Sequence, residues 1–251
     1  MSNRVPESSV WVAAAVFLLA MSSASAAGRP VLVINDTNGP PFTTADHSGF
    51  LDRVAGEAFR RAGVDLKLVK LPAERALLDA NAGIGDGDLT RIAGIEQQYP
   101  NLVRVPEKLV DWEFSAFSRN ASIVSNWDAI RQRSSGHIKG WKIYEQQMAG
   151  ASQVLTAEEP EQLFRLLERG RIEVALYMRW MGLALLNEKG VRDIHALDPP
   201  LAKREMFIYL NKRHADLAPK IAVALKAIKS EGLYDRWYRE KVLIYADKPV
   251  K

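Results

Sequence analysis

The 251-residue chain has no cysteine. That absence excludes disulfide staples, thiolate nucleophiles, iron–sulfur clusters, cysteine-ligated zinc and lipid attachment at an N-terminal cysteine. Histidine is scarce as well: His47, His137, His195 and His214 stand at spacings that fit no metal motif. No metal or other cofactor is expected. A strong charge of one sign is also missing, because 34 basic and 30 acidic residues leave a formal +4. The basic residues are interleaved with acidic ones, as in Asp52-Arg53 and in Glu57 with Arg60-Arg61. No basic run carries the interleaved aromatics that follow a nucleic-acid backbone, so no nucleic-acid partner is expected. The phosphate-cradling GxxxxGK and nucleophile-elbow G-x-S-x-G patterns are absent. Asp86 and Asp88 do not open a calcium loop, since its sixth and twelfth positions would hold Arg91 and Gln97. A loop carboxylate capping nearby N–H groups is the simpler reading.

Long apolar runs are missing beyond the first 26 residues. The run Val10 to Met21 is shorter than the ~20 residues a bilayer span needs, and Ala24-Ser25-Ala26 supplies a small-x-small cleavage pattern. Residues 1–26 therefore read as a signal peptide. Arg4 is offset by Glu7, which leaves the basic leader weak and an uncleaved anchor as the competing reading. The mature chain is expected to start near Ala27, to be exported to the periplasm, and not to be a lipoprotein.

What remains is patterned as alternating strands and helices. A composition of 47% hydrophobic and 25% charged residues is enough for a core without staples. Val31-Leu32-Val33-Ile34 reads as a buried strand. Pro40-Pro41-Phe42 and Gly49-Phe50 follow, then a helix from Leu51 to Ala62 with Leu51, Val54, Ala55, Ala58 and Phe59 on one face. Gly63 ends it and Val64–Val69 alternates as a strand. Glu74–Ala82 is a short helix ended by Gly83, and the glycine-rich segment 83–91 runs into a strand. Leu102–Val105 and Phe114–Phe117 are further strands, and His137–Lys139 a weak one. Ile143–Ala149 and Glu158–Arg169 are helices, the second with Pro160 in its first turn and Gly170 at its end. Arg171–Tyr177 and Met206–Leu210 are strands, and Ala218–Lys229 is the last long helix. This alternation implies βαβ units and a largely parallel sheet.

Taken in order, these pieces resemble the bacterial extracellular solute-binding proteins of family 3. The resemblance rests on Pro40-Pro41-Phe42 with Gly49-Phe50, Gly83 with Asp86, Trp127 with Gly140, the run Gly170 to Ala175, and Glu231-Gly232-Leu233-Tyr234-Asp235. It implies a two-lobed α/β periplasmic-binding-protein fold of type II, each lobe a mixed, mainly parallel sheet flanked by helices. Lobe 1 is expected at 28–114 plus 206–246, lobe 2 at 115–205, and a tail at 247–251. The hinge is expected near Ser115–Ser118 and Lys203–Glu205. A ligand held between the lobes favours closure by touching both.

The chain also departs from that pattern. Where amino-acid receptors of the family carry a lobe-2 aspartate for the ligand's ammonium, counting from Gly170 gives Met178, with Arg179 beside it. Where they carry a lobe-1 arginine for the α-carboxylate, counting from Gly83 gives Gln98, or Arg91 after a gap. An ordinary α-amino acid is therefore not expected, and an anionic or neutral polar ligand is.

The candidate contacts are Phe42, Arg75, Arg91, Trp141, Lys142 and Arg179. Phe42 either stacks on a ligand or plugs the loop against the first helix. Trp141 and Lys142 follow Gly140 at a helix start, where free N–H groups suit an anion; alternatively they are a packed tryptophan and a surface lysine. Arg75 either reaches the cleft or pairs with Glu74 or Asp79. Arg91 and Arg179, one from each lobe, could clamp a carboxylate. The expectation is a monomeric, non-enzymatic binding protein that serves the membrane permease of an ABC importer. An exported dehydratase of cyclic acids on the same fold and a sensing subunit for a membrane receptor are the alternatives.

Overall fold

The computed structural model describes residues 28–246. The expected signal peptide and the tail 247–251 lie outside the described residues. Among them no helix is long and apolar enough to cross a membrane.

The first βαβ unit is β1 (Val31–Asp36), α1 (Phe50–Arg61) and β2 (Asp65–Lys70). Helix α1 buries Phe50, Leu51, Val54, Ala55, Ala58 and Phe59, the stripe its 3.6-residue period dictates. Its start is fixed by a close approach: a Cβ on Gly49 would stand 2.5 Å from the Phe42 carbonyl oxygen. The Asp52 carboxylate reaches back to the Gly49 N–H at 3.0 Å, which satisfies an orphan donor of the first turn. Then come α2 (Ala73–Ala82), β3 (Gly87–Ile92), β4 (Leu102–Arg104) and the long β5 (Val110–Ser118).

The second set is α3 (Trp127–Arg131), β6 (Ser135–Ile138), α4 (Lys142–Gln147), β7 (Val154–Ala157), α5 (Pro160–Glu168), β8 (Val174–Met178) and α6 (Arg179–Lys189). The chain returns through β9 (His195–Ala196) and β10 (Ala202–Asn211), and ends in α7 (Leu217–Ser230) and α8 (Leu233–Lys241). Gly63, Gly83 and Gly170 all stop helices with positive φ (88°, 76° and 64°), as expected of glycine there. The sequence pattern did not reveal β7, β9 or α6. Helix α4 is also shorter than expected, ending at Gln147.

The strands run β2-β1-β3-β10-β5-β8-β6-β7, with β4 on β10 and β9 on β5. Around β1 and around β6 the pairing is parallel. The two regions are joined by antiparallel strands. The first half of β5, from Val110 to Phe114, pairs with Met206 to Ala202 of β10. Its second half, Phe114 to Phe117, pairs with Met178 to Ala175 of β8. Of the segments expected to form the hinge, Ser115–Ser118 lie in β5 and Lys203–Glu205 in β10. A continuous apolar core runs on both sides of them. This is the mixed α/β architecture the sequence implied.

Candidate functional site

A cleft of about 530 Å³ opens where β1, β2, β6 and β7 end. One wall is the loop after β1 (Asp36–Pro40) together with Lys70–Ala73 after β2. The other is Ile138–Lys139 and Trp141 after β6, Glu158–Glu161 after β7, and side chains of β8 and α6. Ligands of open α/β sheets sit beyond the carboxyl ends of the strands, where neighbouring loops diverge. The volume suits a small molecule.

The charge of this cleft runs against the anionic ligand expected from sequence. Both lining ammonium groups are engaged. Lys70 Nζ lies 2.5 Å from the buried Asp36 carboxylate and donates to Thr43 Oγ1. Lys139 Nζ donates to Glu158 at 3.0 Å. Glu159 and Glu161 line the cleft and make no side-chain hydrogen bond or ion pair among the described residues. Glu188 has only its exposed neighbour Lys189, at 3.6 Å. The excess charge is therefore negative. It flanks the start of α5, whose dipole favours carboxylates there.

Tyr177 is 2% exposed and reaches the cleft between these groups. Burial raises its hydroxyl pKa, and the nearby Glu161 and Glu159 raise it further, so the phenol stays protonated. Its hydroxyl makes no hydrogen bond among the described residues. The Trp141 ring stacks on Tyr177 (centroids 5.0 Å apart, 20° between planes) and on Tyr144 (6.0 Å, 8°). Tyr144 is fully buried and donates its hydroxyl to the Tyr177 carbonyl at 2.8 Å, fixing that end of β8.

Of the six candidate residues, Trp141 alone lines the cleft. Phe42 is fully buried and meets Phe50 edge-on at 6.3 Å, as a loop plug on α1 does. The Arg75 side chain is 64% exposed and pairs with Asp79 at 2.7 Å. Arg91 is held at 2.7 Å by both Asp88 and the Ala73 carbonyl. Burial pushes the Asp88 carboxyl up and Arg91 only partly opposes it. Lys142 pairs with Glu145, which also accepts from the Gly140 N–H at 2.7 Å. The expected anion site at this helix start is thus already filled by a carboxylate of its own. Arg179 is fastened to Asp198 at 2.8 Å and lies 3.8 Å from Glu113 of β5. The two arginines expected to face each other are both engaged within the fold.

The sequence reasoning missed Tyr177, Glu159 and Glu161. The available signal was Glu158-Glu159-Pro160-Glu161, three carboxylates at a proline-marked helix start. Asp86 does cap, as read: it accepts from the Val33 N–H at 2.7 Å. Among the described residues no cluster of His, Asp or Glu is arranged to hold a metal ion.

Comparison with known proteins agrees on the fold. No family model matches the chain. An uncharacterized protein of Shewanella oneidensis is 25% identical over 219 residues, covering 80% of this chain and 79% of its own length. An ancestral arginine-binding protein bound to glutamine superposes with a TM-score of 0.71 at 16% identity, covering 85% of this chain and 98% of that one. A histidine kinase sensor domain with similarity to periplasmic binding proteins superposes at 0.74 and 13%, covering 85% and 96%. The chain therefore has the two-lobed fold of the periplasmic binding proteins.

Proposed function

We propose that the chain is a periplasmic solute-binding protein that captures a small polar ligand between two lobes and carries out no chemistry. Lobe 1 comprises 28–114 and 206–246, lobe 2 comprises 115–205, and β5 and β10 form the hinge. The observation that carries this reading is the cleft built from strand ends of both sets of elements. One solved neighbour of this shape is an ancestral arginine-binding protein bound to glutamine, which supports a ligand-binding role. The closed, ligand-filled form is presented to a membrane partner, the permease of an ABC importer. The sensor-domain neighbour favours a second reading, in which the closed form is handed to a membrane receptor.

An ordinary α-amino acid fits the cleft poorly. The family's ammonium-binding position is Met178, fully buried and apolar, and Arg91 is already engaged. Neither residue that the family pattern would assign to an α-amino acid lines the cleft.

The test is native mass spectrometry of the exported protein purified without refolding, followed by a thermal-shift screen. A retained small molecule is expected, and adding it back to stripped protein should raise the melting temperature, since binding only the folded state stabilises it. Small-angle scattering should show compaction on binding. A protein that retains nothing, melts identically with every solute tried and never compacts is not a solute-binding protein.

A further inference from the structure

We infer that the ligand is a small organic cation without a carboxylate group, its charged nitrogen held at the corner formed by Glu159, Glu161 and Tyr177. This deepens the solute-binding reading and rests on it.

Three independent features meet at that corner. The first is charge: the two lysines of the lining are consumed by Asp36 and Glu158, while Glu159 and Glu161 have no partner among the described residues. The second is the Tyr177 hydroxyl, on a residue 98% removed from solvent yet facing the cleft and bonded to nothing. The ring is locked by burial while its hydroxyl, open to the cleft and unpaired among the described residues, is free to bond a ligand. Its oxygen accepts from an ammonium or guanidinium N–H while its proton turns to a carboxylate. The third is the aromatic wall. Trp141 stands beside Tyr177 on the same side of the cleft, and ring systems attract cations through their quadrupole.

The same features argue against a carboxylate on the ligand. An anion would meet no free cation in the lining. The helix start most open to it, that of α5, carries Glu159 and Glu161. Closure of the lobes would then bring like charges together in a drier space, which costs more than in water. Arg91, which could otherwise clamp a carboxylate bidentately, lies outside the cleft lining with its Nη2 given to Asp88 and the Ala73 carbonyl.

The test uses the exported chain and five probes: putrescine, agmatine, arginine, glutamate and succinate. Calorimetry should show putrescine or agmatine binding at least tenfold more tightly than arginine, whose carboxylate is the difference, with no binding of glutamate or succinate. Affinity should fall as salt rises. The Glu159→Gln/Glu161→Gln pair should weaken binding by about a hundredfold and Tyr177→Phe by about tenfold, the range for hydrogen bonds to charged groups. Because the hydroxyl bonds to nothing in the fold, Tyr177→Phe should melt with the parent when unliganded. Tighter binding of succinate or glutamate than of either diamine overturns the cation inference and leaves solute binding standing. Cation binding that ignores the glutamine variants overturns the assigned corner. Failure of all five probes, with an empty protein by native mass spectrometry, overturns the inference together with the reading beneath it.

Discussion

Replacing Phe42 with alanine separates a ligand wall from a core plug. The side chain is fully buried against Phe50, which itself meets Tyr234 and Tyr238 of α8 edge-on at 5.0 and 5.2 Å. Removing a buried phenyl ring costs about 3–5 kcal/mol, the transfer term plus the cavity left behind. For a mature chain of this size each kcal/mol lowers the melting temperature by roughly 2–4 °C, so the expected loss is about 6–20 °C. The loop itself should hold, because its main chain is tied independently: Phe42 N–H donates to Gly39 and the Phe42 carbonyl accepts from Leu51 at 2.7 Å. Urea unfolding followed by circular dichroism should show a lower midpoint at unchanged slope. Ligand affinity, measured well below the new melting temperature, should stay within a few-fold of the parent. A melting loss under about 3 °C with a tenfold drop in affinity would refute the core assignment and restore Phe42 to the cleft.

Two other perturbations probe the frame. A methyl at Gly182 of α6 would stand 2.3 Å from Phe117 Cζ, inside a ring that is itself fully buried. Gly182→Ala gains about 1 kcal/mol of helix propensity but incurs an overpacking cost of about 1–3 kcal/mol. Thermal melts should therefore show a net loss of a few degrees, and a gain would mean the ring has room to move. Glu57 is held chiefly by its hydrogen bond from Arg60, opposed by burial and reinforced by Arg61, at a pKa of about 2 where 4.5 is ordinary. A carboxyl depressed on folding stabilises above its unfolded pKa and loses that contribution as pH falls through the folded one. Glu57→Gln should thus unfold earlier in urea than the parent at pH 7, with the gap closing between about pH 5 and pH 2; a gap that persists at pH 2 would show that the effect is not electrostatic.

Much of the fold was legible because its punctuation is local. Glycines end α1, α2 and α5, Pro160 starts α5, and the apolar stripe of α1 names its own buried face. Helix α6 was invisible for the opposite reason. Trp180, Met181, Gly182, Ala184 and Leu186 bury it on more than one side, so no amphipathic stripe forms. Strand β7 has four residues and a largely exposed pattern, too short to show a period.

The cleft was legible in place but not in sign. Trp141 was reachable from the glycine-to-helix pattern. Free guanidiniums suit anions, yet whether a guanidinium is free depends on tertiary neighbours that no spacing reveals. Asp88, Asp198 and the Ala73 carbonyl settle it for Arg91 and Arg179. A net charge of +4, summed over the whole surface, carried no information about a handful of side chains after β7.

The pairing of β10 has a consequence for the order in which the chain can be assembled. Strand β4 finds its neighbour only in residues 202–211, β3 gains its second neighbour only there, and α1 packs against α7, which comes later still. The β6–β7–β8 ladder, by contrast, closes between residues 135 and 178. As a polypeptide emerges from a ribosome or a translocation pore, the middle is therefore complete while both ends still wait for each other. The amino-terminal apolar stripe, covered early only by its own βαβ unit, stays partly open for most of that passage, and a folding helper has the most to protect there.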